Sequence, residues 1–288
     1  MSNVAIVGPG GVGGLLGGVL TRAGHDVVYV ARPETAAALN ERGMSVHSVQ
    51  FGDFTVPARA VESLTSPVDV AVVATKATTL TDALDRLPAS APGIILPLLN
   101  GVEHVELLRE RYPSARVVAG AIRVESTRVA TGRIEHTSPF SGIDVAGPGA
   151  DTVAALLTGA GFDVTIRDTE AAVLWAKLAL LAPVALITTA ARASIGTARQ
   201  TRRDDLVEMV SEVTALARAS GTQVEAPAIL SVIDQIPPPM KSSMLRDAEA
   251  GRPLELDAIG GSVLHAGARL GIPTPATSRV VAELRAMS

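Results

Sequence analysis

Residues 4–25 read VAIVGPGGVGGLLGGVLTRAGH, and the fold turns on the spacing of the glycines in that run. NVAIVG (3–8) has the composition of a short buried strand. Behind it Gly8, Gly10 and Gly13 stand in G-x-G-x-x-G spacing, and an apolar helical stretch ends near Gly24. In a glycine-rich chain that spacing alone is weak evidence; the strand before it and the helix after it give it weight. The first glycine permits a tight turn, the second lets backbone approach a pyrophosphate, and the third permits close helix–strand packing. Phosphate charge would then meet the unpaired N–H groups of the helix N-terminus. Gly8, Pro9, Gly10, Gly11, Val12 and Gly13 are thus the expected dinucleotide-binding turn. The alternative is a bare strand-to-helix turn that holds nothing.

About 20 residues further on, such a site needs a group for the adenosine ribose. An acidic residue there selects NAD. Here the second strand, HDVVYVAR (25–32), ends in Arg32, whose guanidinium suits a 2′-phosphate and hence NADP or NADPH. Glu34 competes for the ribose if the turn is longer.

Outward from this unit, strands and helices alternate. PETAAALNERG is helical, SVHSVQ and FGDFTVPARA form a hairpin or added strand pair, and VDVAVVATK (68–76) is an uninterrupted apolar strand. TTLTDALDRL is helical, PGIILPLLNG (92–101) is a strand and VEHVELLRERY a helix. ARVVAGAIRVES and GRIEHTSP complete the sheet, with FDVTIRD as its last strand. From about residue 169 only apolar-periodic helical stretches remain, at 169–191, 203–219, 241–250 and 254–270, with IPPPM (236–240) as a rigid break. The expected class is α/β, a Rossmann-type doubly wound sheet over 1–168 followed by an all-helical domain over 169–288. Lys76 and Asn100 both fall just past strand C-termini, where open α/β sheets bind ligands. Taken singly, they also fit a solvated strand end and an Asn-Gly turn.

Composition narrows the function. The 288 residues are 47% hydrophobic but only 2% aromatic, so the cores are aliphatic. A net charge of −4 without long single-sign blocks gives no footprint for nucleic acid or an anionic membrane. No cysteine is present, which removes disulfide and thiolate chemistry and fits a cytoplasmic protein. The five histidines lie far apart and make no metal-ligand pair, so no metal is expected. The N-terminus lacks a basic secretory n-region.

Residues 171–191, AAVLWAKLALLAPVALITTAA, carry a single charge, Lys177. A lysine near a helix centre costs about 2.5–3.5 kcal/mol on membrane insertion, and Pro183 is expected to interrupt the helix close by. The run reads as a buried helix of a soluble protein. Lys177 either snorkels to water or works in a pocket, where desolvation tunes it for acid–base chemistry. A carbonyl receiving hydride needs a proton and a cation near its oxygen. Glu255 and Asp257 are candidate partners, or ornaments of a helix N-terminus. Ser243 is a candidate ligand or an N-cap, with Ser242 its rival for the cap.

Taken together, GPGGVG, the TK of VVATKA, LLNGVE, LWAKL, KSSMLRDAEAGRPLELDAI and the terminal GIPTP resemble the ketopantoate reductases, the 2-dehydropantoate 2-reductase family. The resemblance covers nearly the whole chain and implies NADPH reduction of a 2-oxo acid to a 2-hydroxy acid, in the cleft between a Rossmann and a helical domain. Carried over by position, Lys177 would be the catalytic general acid, and Glu255 would act beside it and hold the cofactor ribose. Asn100 would lie by nicotinamide and substrate, Lys76 along the cofactor, Arg32 on the 2′-phosphate and Ser243 on the substrate. The family commonly carries asparagines four and eight residues after the lysine; here Leu181 and Ala185 stand there. A more apolar oxo substrate is therefore one alternative, a non-catalytic NADP-binding regulator another, and a 3-hydroxy acid dehydrogenase a third. The expected partners are a small 2-oxo acid and, at most, a second copy of the chain.

Overall fold

The computed structural model describes residues 1–88 and 92–287; Ser288, the last residue of the expected helical domain, lies outside them. The chain divides into two compact units. One comprises Met1–Leu99 and His104–Val173, the other Asn100–Glu103 and the chain from Leu174 onward.

In the first unit Val4–Val7 and Val70–Val73 are almost wholly removed from water. Strands covered on both faces read as unbroken apolar runs, and here they form one parallel sheet. Its spatial order is Arg59–Val61, Asp26–Val30, Asn3–Val7, Val68–Val73, Pro92–Pro97, Arg116–Val117. Numbered along the chain within this sheet, that is 3-2-1-4-5-6, the Rossmann order. Ile6 lies in register with Tyr29 on one side and Val72 on the other.

The segments expected to complete this sheet build two others instead. Of ARVVAGAIRVES only Arg116–Val117 joins it. Ser126–Ala130, Arg133–His136, Met44–Ser48 and Phe54–Val56 form a four-stranded sheet, in that order. Ala119–Arg123, Gly142–Ala146 and Asp163–Ile166 form a three-stranded one. Strand pattern says which residues are extended but not which neighbour they choose. Buried polar ties hold the choice here. His136 meets the Ser48 hydroxyl at 2.8 Å through Nδ1 and the Ser138 hydroxyl at 2.9 Å through Nε2. Asp144, with its side chain 3% exposed, accepts from Arg123 at 2.6 Å and pairs with Arg167 at 3.1 Å.

The helix Gly11–Arg22 lies between the six- and four-stranded sheets. A Cβ at Gly17 would fall 2.4 Å from Tyr29 of the former, and one at Gly14 would fall 2.5 Å from Ile134 of the latter. The glycines that weaken this helix intrinsically are what let it sit so close to both.

The second unit is helical: Glu170–Ala191 enters it, followed by Ile195–Thr201, Arg203–Ala219, Ala226–Gln235, Ser243–Glu249, Ser262–Leu270 and Pro275–Met287. Arg203–Ala219 packs against four of the others. From it Glu212 accepts the N–H groups of Ala276 (2.6 Å) and Thr277 (2.9 Å) and the Thr277 hydroxyl (2.6 Å), capping the last helix. Pro183 does not interrupt the helix Glu170–Ala191, contrary to expectation. Its missing N–H forfeits one turn's bond, but Ala182 and Val184–Ile187 are buried around it and packing carries the helix through. This helix is long and apolar enough to span a membrane, yet most of it is covered by the protein itself.

Candidate active site

The glycine turn separates positions that packing requires from one that it does not. Gly8 has φ +89°, in the left-handed region, and a Cβ there would strike Thr75 at 2.6 Å. A Cβ on Gly13 would lie 2.2 Å from the Gly8 carbonyl oxygen, and one on Gly11 would lie 2.1 Å from that of Ser126. At Gly10, by contrast, a Cβ would meet nothing within 4 Å, and φ is −79°. Neither backbone strain nor packing asks for glycine at position 10. Gly10 is the N-cap of the helix Gly11–Arg22, and no side chain caps it, so the first helical N–H groups face this open ground. A bare cradle at a helix N-terminus fits a diphosphate in size and polarity.

Arg32 follows two residues after the strand Asp26–Val30, whose last carbonyl accepts the Gly8 N–H at 3.2 Å. It is the exposed N-cap residue of the helix Pro33–Arg42, and Glu34 lies exposed in that helix's first turn. Lys76 is half-buried just beyond the strand Val68–Val73, its carbonyl accepting the Thr79 N–H at 3.0 Å. All three strand ends belong to one edge of a parallel sheet, where carboxyl ends gather ligands.

In the helical unit the structure brings Asn100 and Glu255 together. The Asn100 amide Nδ2 donates to Glu255 Oε2 at 3.0 Å. Glu255 is 8% exposed and sits just before a widened π turn, Asp257–Gly261, that runs into Ser262–Leu270. It is no surface ornament, unlike Asp257, whose exposed carboxylate pairs with Arg285 at 2.8 Å. Asn100 begins a turn, as its Asn-Gly sequence suggests, with Gly101 at φ +87°.

Lys177 is half-buried within the helix Glu170–Ala191 rather than fully enclosed. Leu181, one turn further along the same face, is also half-buried, whereas Ala185 is fully sealed. Of the two apolar departures, only Leu181 has surface to offer a ligand. Three turns beyond Lys177, Thr188 shares a 2.7 Å hydrogen bond with the Ser242 hydroxyl. Ser242 also accepts the Leu245 N–H at 3.1 Å, so it is the N-cap of Ser243–Glu249. Ser243 is left as the exposed first residue of that helix, its hydroxyl not spent on the cap. Sequence reasoning missed Thr188, because a threonine in an apolar helix carries no signal of a partner 54 residues away.

Comparison with known proteins decides the family. The profile of ketopantoate reductase PanE/ApbA matches residues 4–151, and that of its C-terminal part matches residues 171–288. The chain belongs to the ketopantoate reductase family. It is 31% identical over 300 residues to 2-dehydropantoate 2-reductase of Caulobacter vibrioides, covering 99% of each chain. It is 29% identical over 294 residues to an uncharacterized oxidoreductase, YkpB, of Bacillus subtilis, covering 97% of each. A solved PanE/ApbA family ketopantoate reductase from Ralstonia eutropha JMP134 superposes with a TM-score of 0.87 at 28% identity, over 98% of this chain and 97% of that one. As a ketopantoate reductase family member the chain is an oxidoreductase acting on CH–OH groups.

Proposed function

We propose that the chain catalyses the NADPH-dependent reduction of a 2-oxo acid to the 2-hydroxy acid, with 2-dehydropantoate, giving pantoate, as the first substrate. Lys177 carries this reading. It is the single charge in residues 171–191, and it keeps part of its surface open where every neighbour favours burial.

Gly8, Pro9, Gly10, Gly11, Val12 and Gly13 would cradle the pyrophosphate, Arg32 would bind the 2′-phosphate, and Lys76 would add a second cation. The open ground over Gly10 and the exposed guanidinium beyond the second strand support this assignment. Bound NADPH supplies hydride. Lys177 Nζ donates a proton to the substrate carbonyl oxygen, and its charge stabilises the alkoxide as it develops. Ser243 would hold the substrate's polar end, while Asn100 and Glu255 would hold the nicotinamide ribose and carboxamide.

Leu181 favours a second reading of the substrate. A side chain without hydrogen-bonding groups one turn from the proton donor gives no discrimination for a substrate hydroxyl. An oxo acid with an apolar side chain would suit that surface better. The reaction proposed is the same in both cases.

NADPH oxidation measured against 2-dehydropantoate and a panel of apolar 2-oxo acids tests the proposal. Turnover with at least one of them is expected, and Lys177→Ala should lower kcat by about 10²–10⁴-fold with NADPH affinity retained. Unchanged turnover in Lys177→Ala would discard the proton-donor role. NADPH binding with no turnover across the panel would instead mark a non-catalytic NADP-binding regulator.

A further inference from the structure

Asn100–Glu103 is a four-residue segment that belongs to the helical unit although the chain on both sides of it belongs to the other. Three contacts inside the helical unit fix it. The Asn100 amide meets Glu255 at 3.0 Å, and Glu103 meets His265 Nδ1 at 3.0 Å. Between them Gly101 lies flat on the π turn: a Cβ there would come within 2.3 Å of the Ala258 carbonyl oxygen and 3.2 Å of the Ser262 hydroxyl. Ser262, 1% exposed, donates that hydroxyl to the same Ala258 oxygen at 2.7 Å.

The π turn makes this seat. Its closing bond runs from the Ser262 N–H to the Asp257 carbonyl, one residue wider than an α-turn. Gly260, within it, has no room for a side chain, since a Cβ would strike Val281 at 2.5 Å. With the helix widened and held there, the Ala258 carbonyl stands where Gly101 rests. An ionised carboxylate only accepts, so Glu255 also dictates which way the Asn100 amide points. Nδ2 faces Glu255, and Oδ1 is turned away to accept from a bound molecule.

We propose that Gly101 and Ser262 are positioning residues, which seat the segment on the π turn so that Asn100 keeps its amide on Glu255 and its oxygen aimed at the bound cofactor. The proposal rests on the role given to Asn100 above. A closed cycle of NADPH titrations tests it, using the full-length protein, Asn100→Ala, Gly101→Ala and the double variant, with a thermal midpoint for each. Asn100→Ala and Gly101→Ala should each weaken NADPH binding about tenfold, and the double variant should bind no worse than the weaker single one, because both remove the same interaction. Ser262→Ala, a gentler change should Gly101→Ala fail to fold, should weaken binding about threefold and add nothing to Asn100→Ala. Losses that multiply, or native affinity in both Gly101→Ala and Ser262→Ala, would overturn the positioning role and leave the function standing. Native affinity in Asn100→Ala would remove the role assigned to Asn100, and the positioning role with it.

Discussion

Asn100 and Glu255, separated by 155 residues, meet through one hydrogen bond of 3.0 Å from amide to carboxylate. The pairing is one of donor with acceptor, and a change to Asn100→Asp would make it one of two acceptors. Carboxylates that close do not both ionise, so one would hold a proton well above the usual carboxylate range. The expected outcome is an enzyme whose kcat/KM falls as that proton leaves with rising pH, where the native enzyme shows no such loss. A pH profile of kcat/KM for the two proteins checks it, and parallel profiles would contradict it.

The glycine turn offers a cleaner separation of fold from binding. Gly10→Ala should leave the thermal midpoint within a few degrees of native, since the added methyl meets nothing within 4 Å. The same methyl would stand over the helix N-terminus and abolish NADPH affinity. Gly13→Ala should do the reverse work, destabilising the fold by about 1–3 kcal/mol through its 2.2 Å encounter with the Gly8 oxygen. Chemical denaturation and NADPH titration of both variants measure the two effects independently.

Acid should loosen the four-stranded sheet before it protonates any carboxylate. Burial depresses the His136 pKa below 6.5, against a smaller opposing pull from the Phe140 carbonyl. The folded state therefore prefers neutral imidazole, accepting from Ser48 on Nδ1 and donating to Phe140 through Nε2. For a depressed folded pKa, the stabilisation is complete above the unfolded value of 6.5 and is lost as pH falls through the folded one. Urea unfolding should show stability declining below about pH 6.5, and His136→Gln should remove that part of the slope.

The cap on the last helix should be worth more than a surface contact. Glu212 is 9% exposed and accepts three bonds from Ala276 and Thr277. Glu212→Ala leaves those buried donors unmet and should cost about 2–4 kcal/mol, with Glu212→Gln intermediate because one acceptor oxygen survives. Equal stability of all three proteins by denaturation would contradict the assignment.

How much of this was legible in the sequence depends on how local each cause is. Turn chemistry is local, so Gly8, Gly10 and Gly13 announced a strand, a turn and a helix before any coordinate. The parallel core was legible too, because double-sided burial leaves runs such as VAVV. The assignment of later strands to one sheet failed, because Arg133–His136 pairs with Met44–Ser48 through contacts that no periodicity encodes. Ser242 and Ser243 are equivalent as letters, and only Thr188, from another helix, shows which of them caps. Glu212 looked like any charge on a solvated helix face. Pro183 misled in the opposite direction, since a rule for isolated helices yields when both flanks are packed.

The central sheet closes on strands of three residues, Arg59–Val61, and two, Arg116–Val117. So brief a margin exposes few backbone groups in register and gives an incoming polypeptide almost no template to extend. Edge-to-edge polymerisation through this sheet is thereby discouraged at both flanks, a safeguard for a layer whose interior strands are among the most apolar segments of the chain.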